Sequence, residues 1–166
     1  MAETLHFSSG ANRETVYQEL LPQIEAVAGA TTDLIANMAN VAAILKAAFD
    51  FHWVGFYRTV AVGKLVLGPF QGPLACVNIP FTKGVCGHAA MTQKTVIVPD
   101  VEKFPGHIAC STLSRSEIVV PAVVEGKTVF VLDVDSLAVN DFSAVDQHYL
   151  EEIVKVLLRA SSTLSS

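Results

Sequence analysis

The sequence has few charged residues and no cluster of positive charge. Only 16% of its 166 residues are charged, and 11 Lys and Arg stand against 16 Asp and Glu, which gives a net charge of −5. Such a chain has little with which to neutralise a phosphate backbone, so we expect no nucleic-acid partner. Its apolar runs are shorter than the ~20 residues that a membrane helix needs. The N-terminal segment lacks the pattern of a signal peptide, and we expect a cytoplasmic protein.

Cysteine is also scarce, and the chain has no C-x-x-C pair. Its three cysteines are Cys76, Cys86 and Cys110. An odd number without paired spacing argues against a disulfide framework, a zinc ribbon and a thioredoxin motif. The residues alone leave three interpretations open: inert buried thiols, a metal site or redox chemistry. A predicted helix start at Cys86 would favour its thiolate, whereas a predicted loop would leave Cys110 accessible.

Two short clusters bear on the metal interpretation. Cys86 stands two residues before His88, and His107 three residues before Cys110. Zinc accepts Cys₂His₂ sets, but these spacings match none of its common signatures. We therefore predict no metal and no cofactor, and ordinary polar roles for the two histidines.

Hydrophobic residues are abundant, at 51% of the chain, which indicates one densely packed domain. We predict a flexible tail over residues 1–12 and a single domain over 13–166. Helices are predicted over 13–29 (kinked or restarted at Pro22), about 33–48, 84–93 and from a capping box at Ser143 and Asp146. Strands are predicted over 53–58, 64–70, 74–79, 95–98, 117–126 and 127–136, and a long loop over 101–116. This order predicts an α+β fold with one antiparallel sheet and helices on one face.

Three acidic residues and two aromatic residues are candidates for a site on this sheet. Asp133 and Asp135 alternate along a predicted strand and share a face, and Glu117 begins the adjacent strand. Neighbouring carboxyls repel, and one that stays protonated can donate a proton. Trp53 and Tyr57 share a face of the first strand, with a glycine between them that leaves a recess. The alternatives are a solvated acidic face and ordinary aromatic core packing.

Four segments together resemble a known family. They are LVLGPFQGPLACVNIPFTKGVCGHAA, VPDVEKFPGHIAC, SEIVVP and VLDVDS. Their order and spacing resemble those of the free methionine-(R)-sulfoxide reductases, over roughly residues 13–160. The resemblance implies a GAF fold, in which a central antiparallel sheet has helices on one face and a ligand pocket on the other.

The resemblance also implies roles for individual residues. Cys110 would attack the sulfoxide, and Cys76 would be the principal resolving thiol. Cys86 would correspond to a cysteine that takes part in the reaction less uniformly across the family. The acidic residues would line the substrate site and the aromatic residues would cradle the thioether: Glu117, Asp133, Asp135, Trp53 and Tyr57. The chain departs from the family pattern at Ser111, where an acid often follows the nucleophile.

The implied reaction reduces free methionine-(R)-sulfoxide through a sulfenic acid and then a disulfide. The implied partners are the free amino acid, a thioredoxin-like reductant and a second copy of the chain in a homodimer. Such an enzyme would serve the response to oxidative stress. A GAF sensor that binds a small ligand without turning it over is the competing interpretation, and it has no need of three cysteines.

Overall fold

The computed structural model describes residues 4–107, 110 and 112–161 of the chain. The helices are α1 (Arg13–Gly29), α2 (Leu34–Phe49), α3 (Gly84–Thr92) and α4 (Ala144–Ala160). The strands are β1 (Trp53–Ala61), β2 (Lys64–Gln71), β3 (Asn78–Pro80), β4 (Val96–Val98), β5 (Ser116–Val124) and β6 (Lys127–Ser136). None of the helices within the described ranges is long and apolar enough to cross a membrane.

The six strands form one antiparallel sheet in the order β3-β2-β1-β6-β5-β4. The two central strands, β1 and β6, carry four of the predicted site residues: Trp53, Tyr57, Asp133 and Asp135. Both strands are rich in β-branched and aromatic residues that favour a pleated sheet. The predicted α+β fold with a central antiparallel sheet is confirmed. These four residues therefore stand on strands that are hydrogen-bonded to a neighbour on both sides.

The two faces of the sheet are covered differently. Helices α1, α2 and α4 pack on one face, where alternate strand residues such as Val54, Phe56 and Leu132 are fully buried. The opposite face carries Trp53 and Tyr57 in a second apolar cluster, to which α3 contributes. The short helix α3 thus lies on the pocket face, in addition to the three helices of the other layer.

The helix ends follow the sequence signals. The side chain of Asn12 caps α1, and Ser143 and Asp146 form the predicted capping box of α4. Helix α1 runs through Pro22 without restarting. Ahead of α1, the hydroxyl of Ser8 donates to Glu19 at 2.7 Å, and Leu5 packs against the core. The division into a tail over residues 1–12 and one domain stays a prediction.

Two predicted segments differ in the structure. The third strand is Asn78–Pro80, so the prediction of a strand over 74–79 was wrong for residues 74–77. Cys76 lies in that segment and forms a disulfide outside the sheet. The predicted loop over 101–116 contains a 3₁₀ turn, Val101–Lys103, and β5 already begins at Ser116. Ser111, the departure from the family pattern, lies outside the described residues.

Candidate active site

The register of the central strands brings the predicted site residues into adjacent rows. Trp53 of β1 lies opposite Asp135 of β6, which in turn lies opposite Glu117 of β5. In the next row Gly55 lies opposite Asp133. Because side chains alternate between the faces of a strand, these residues project from the same face of the sheet. Strand pairing therefore collects residues that are up to 82 positions apart in the sequence.

A cavity lies over these rows, between the sheet, α3 and the loop that precedes β5. The residues that line it are Trp53, Tyr57, Leu74, Ala75, Ile79, Gly84, Val85, Cys86, His107, Cys110, Ser114, Glu117, Asp133 and Asp135. Seven of the eight predicted site residues are among them. The eighth, Cys76, lies outside the lining but is covalently attached to it through Cys110.

Cys76 and Cys110 form a disulfide, with Cα atoms 5.3 Å apart and 34 residues apart in sequence. Cys76 comes from the segment between β2 and β3, and Cys110 from the loop before β5. The backbone of that loop is tied to α3 by a hydrogen bond from the amide of Gly84 to the carbonyl of Gly106. The interpretation of three inert thiols is wrong, and the Cys₂His₂ zinc set is wrong as well, because Cys110 is engaged in the disulfide and His88 is exposed.

Cys86 is a free and buried thiol at the start of α3. Its Sγ donates to Oε1 of Glu117 at 3.9 Å. Burial raises the pKa of Cys86 well above its usual value, and the nearby carboxyls of Asp133 and Glu117 raise it further. The expectation that a helix start favours the thiolate was wrong here, because desolvation and negative neighbours oppose the helix dipole.

Two acids of the site are shielded from solvent and the third, Asp135, is half-buried, so the alternative of a solvated acidic face was wrong. Glu117 and Asp133 are each 6% exposed. Burial raises the pKa of Asp133 to about 6, against the opposing effect of hydrogen bonds with Glu117 and Cys86. Burial, followed by the charge of Asp133, raises the pKa of Glu117 and Asp135 well above their usual values. The cluster therefore retains protons toward neutral pH.

The two aromatic residues form a buried wall on the β1 side of the cavity. The ring of Trp53 stacks on Phe70 and Tyr57, with centroid distances of 5.3 and 5.8 Å. Its Nε1 donates to the carbonyl of Pro73 at 3.1 Å, which ties β1 to the segment that carries Cys76. The predicted recess above Gly55 is filled by Phe70 and the Trp53 ring, because a Cβ at Gly55 would meet Phe70 and lie 2.7 Å from that ring.

Two further polar residues, which the sequence did not single out for catalysis, line the cavity. Ser114 is buried and hydrogen-bonds Asp135, which opposes the rise in its pKa. His107 lines the cavity with a buried Nδ1 that has no hydrogen-bond partner, and burial lowers its pKa. No periodicity marks either residue, since both lie in a loop. His107 is three residues before Cys110 and Ser114 three before Glu117 in the sequence. That proximity is the signal that could have identified them.

One set of donors in the cavity could hold a metal ion. Ligand atoms of Cys86, Glu117 and Asp133 all lie within 4.8 Å of one another. The set is buried and combines sulfur with oxygen. The rest of the cavity wall is apolar and aromatic, which suits the methyl and methylene groups of a small ligand.

The chain is similar to known proteins over most of its length. The GAF-domain family model matches residues 26–160. The free methionine-R-sulfoxide reductase of Saccharomyces cerevisiae is 42% identical over 164 residues, which cover 94% of this chain and 91% of that protein. The enzyme of the same name from Escherichia coli is 39% identical and covers 92% of each chain.

A solved structure is similar over almost the whole chain. That structure is the free methionine-R-sulfoxide reductase of Neisseria meningitidis in complex with its substrate. Its TM-score to this chain is 0.92, and the two sequences are 50% identical. The similarity covers 97% of this chain and 98% of that one. The chain belongs to the free methionine-R-sulfoxide reductases, a family of GAF-domain oxidoreductases.

Proposed function

We propose that the protein reduces free methionine-(R)-sulfoxide to methionine, with Cys110 as the nucleophile and Cys76 as the resolving thiol. The observation that carries the proposal is the Cys76–Cys110 disulfide beside a cavity lined with buried, proton-retaining acids. The names of the relatives in yeast, Escherichia coli and Neisseria support this substrate.

The reaction divides into two balanced steps. The thiolate of Cys110 attacks the sulfoxide sulfur while the sulfoxide oxygen is protonated, and methionine leaves behind a sulfenic acid on Cys110. The thiol of Cys76 then condenses with the sulfenic acid, which forms the disulfide and releases water. The two electrons gained by the sulfoxide come from the two thiols. The bond between these cysteines is the one that a single turnover would leave.

The acidic cluster serves two purposes in this proposal. A sulfoxide oxygen needs a proton before sulfur can be reduced, and Glu117 or Asp135, with raised pKa values, retains one. Asp133, whose pKa burial raises to about 6, is ionised at neutral pH and supplies negative charge for the substrate ammonium. A methionine sulfoxide within a peptide has no such ammonium, so the pocket favours the free amino acid.

The remaining residues position the reactants. Trp53 and Tyr57 present buried aromatic surface to the methyl group and chain of the substrate. We assign Cys86 a supporting part, because its S–H donates to Glu117 and it stays outside the disulfide.

Regeneration needs an external dithiol. Cys76 and Cys110 are each partly exposed, which suits exchange with a thioredoxin-like protein in a reducing compartment such as the cytoplasm. We propose no organic cofactor, since the thiols supply the electrons, and we retain the homodimer as a proposal.

A coupled assay tests the function directly. Thioredoxin, its reductase and NADPH are supplied with free R sulfoxide, free S sulfoxide or a peptide that contains the sulfoxide. We expect turnover of the free R form alone. Equal rates for the free and peptide-bound forms would contradict the substrate assignment.

The roles of the two cysteines are tested with reduced protein and no recycling system. The wild type should release about one methionine per chain and lose two thiols. Cys110→Ser should release none, and Cys76→Ser should release one and retain a sulfenic acid that a dimedone probe labels. Repeated turnover by Cys110→Ser with a dithiol would show that another residue is the nucleophile.

A further inference from the structure

The thiol of Cys86 is not consumed by the proposed reaction, yet it is buried in the middle of the site. All three cysteines are described, and Cys86 is the one that the disulfide leaves free. Its side chain is 4% exposed and lines the cavity beside Glu117 and Asp133. A thiol needs no carboxyl neighbours for packing alone, because it behaves as a small apolar group.

The surroundings of Cys86 lack a compensating cation. Among the described residues that line the cavity there is no lysine or arginine, and the one histidine, His107, has a pKa that burial lowers. Oδ1 of Asp133 is buried without a hydrogen-bond partner, although Asp133 is itself 94% buried. An orphaned carboxylate oxygen in a buried acidic cluster is a costly arrangement that a bound cation would relieve.

We propose that Cys86, Glu117 and Asp133 form a zinc-binding site within the cavity. Their ligand atoms lie within 4.8 Å of one another, so small side-chain adjustments suffice to bring all three to one ion. Zinc accepts thiolate and carboxylate ligands together and completes a tetrahedral set with water, for which the cavity leaves an open side.

The mixture of donors selects the kind of ion. Magnesium and calcium prefer sites built only from oxygen, whereas a thiolate favours zinc and similar softer ions. On binding, the Sγ–H bond of Cys86 breaks, its proton passes to solvent and a sulfur–zinc bond forms. Any proton on Glu117 leaves in the same way, and no electron is transferred.

Zinc binding does not depend on the proposed function, but the inhibition that we expect from it does. An ion held by Glu117 and Asp133 occupies the acids that the proposed reaction needs for proton donation and for the substrate ammonium. Zinc would therefore inhibit the reductase by occupying its acids.

The test uses the oxidised, disulfide-bonded protein, in which Cys86 is the sole free thiol. Equilibrium dialysis against zinc chloride should show one site that magnesium chloride does not fill. Titration with cobalt(II) should produce the near-ultraviolet charge-transfer band of a thiolate–cobalt bond, which a purely electrostatic association does not give. Absence of the band in the wild type would overturn the proposal even if zinc were retained elsewhere on the surface.

Variants locate the site. Cys86→Ser and Asp133→Asn should each lower zinc affinity at least tenfold, and Cys86→Ser should abolish the cobalt band. Glu14→Gln, which changes an exposed acid on α1, is the matched control and should bind zinc as the wild type does. Unchanged affinity in both site variants would overturn the assignment. Circular dichroism shows whether each variant is folded. If a variant does not fold, the cobalt band of the wild type still tests the site.

Discussion

Glu117 and Asp135 face each other across the β5–β6 pair, and their carboxyls share the wall of one cavity. Two acids at directly opposed positions of a sheet repel when both are ionised. The pKa values of both are raised, first by burial and then by the charge of Asp133, and the charge of Asp135 raises that of Glu117 further. Burial beside a third acid thus makes a pair of proton donors from side chains that are ordinarily ionised at neutral pH.

Neutral replacement of these donors should slow the reaction without unfolding the protein. Glu117→Gln and Asp135→Asn keep the shape of the side chain but remove the acidic proton. A positioned general acid contributes about 10²–10⁴-fold, so we expect kcat to fall by that order while the urea unfolding midpoint is maintained. Glu14→Gln serves as the control. Full activity in both site variants would remove the acids from the mechanism.

The raised pKa of Asp133 makes stability depend on pH in a defined direction. Its pKa is about 6 in the folded chain and near 4 in an unfolded one. The folded form holds a proton that the unfolded form releases, so the free energy of unfolding falls as pH rises from about 4 to about 6.

Asp133→Asn tests this contribution. The variant should lose less stability than the wild type between pH 4 and pH 7, as measured by urea unfolding at both pH values. The variant also removes the charge that raises the pKa values of Glu117 and Asp135, and this reduces the loss of stability in the same direction. The difference between the two proteins therefore reports Asp133 together with its effect on its neighbours. Parallel loss of stability in the two would contradict the buried, raised-pKa state of Asp133.

Gly55 should be intolerant of even one methyl group. A Cβ there would meet Phe70 and lie 2.7 Å from the ring of Trp53, so the aromatic stack must move. We expect Gly55→Ala to destabilise the fold by about 1–3 kcal/mol and to raise KM. Gly29→Ala is the control, because a Cβ there meets nothing within 4 Å and alanine favours a helix, so stability should be kept or rise.

Asp146 is a buried acid whose role is structural, which provides a contrast with the site. It is 1% exposed and accepts hydrogen bonds from the Tyr17 hydroxyl, the Arg13 guanidinium and the Ser143 amide. Asp146→Ala should cost about 3 kcal/mol of unfolding free energy, because it leaves Arg13 without its buried partner.

The matched control for this prediction is Asp141→Ala. Asp141 also pairs with Arg13, but its side chain is 30% exposed, and exposed ion pairs contribute about 0–1 kcal/mol. Both variants should retain kcat once folded. A lower kcat in folded Asp146→Ala would mean that this acid also supports the site.

Local sequence signals were sufficient for most of the elements. The capping box at Ser143 and Asp146, the alternation of Asp133 and Asp135, and the hairpin turn after Val124 depend on neighbours within a few residues, so they can be read along the chain. The prediction failed for the strand over residues 74–77, where Cys76 pairs with a cysteine 34 residues away that no local pattern indicates. It also failed for the pKa of Cys86, since spacing carries no information on burial.

By itself, the sequence determined the α+β fold, the alternation that puts the acids of β6 on one face and, through its motifs, the family. The tertiary structure alone decided that Glu117 opposes Asp135, that Trp53 fills the space above Gly55, and that Cys76 reaches Cys110 while Cys86 stays free. The physical reason is that periodicity and capping act over a few residues. Strand register, desolvation and disulfide pairing depend instead on which distant segments the fold brings into contact.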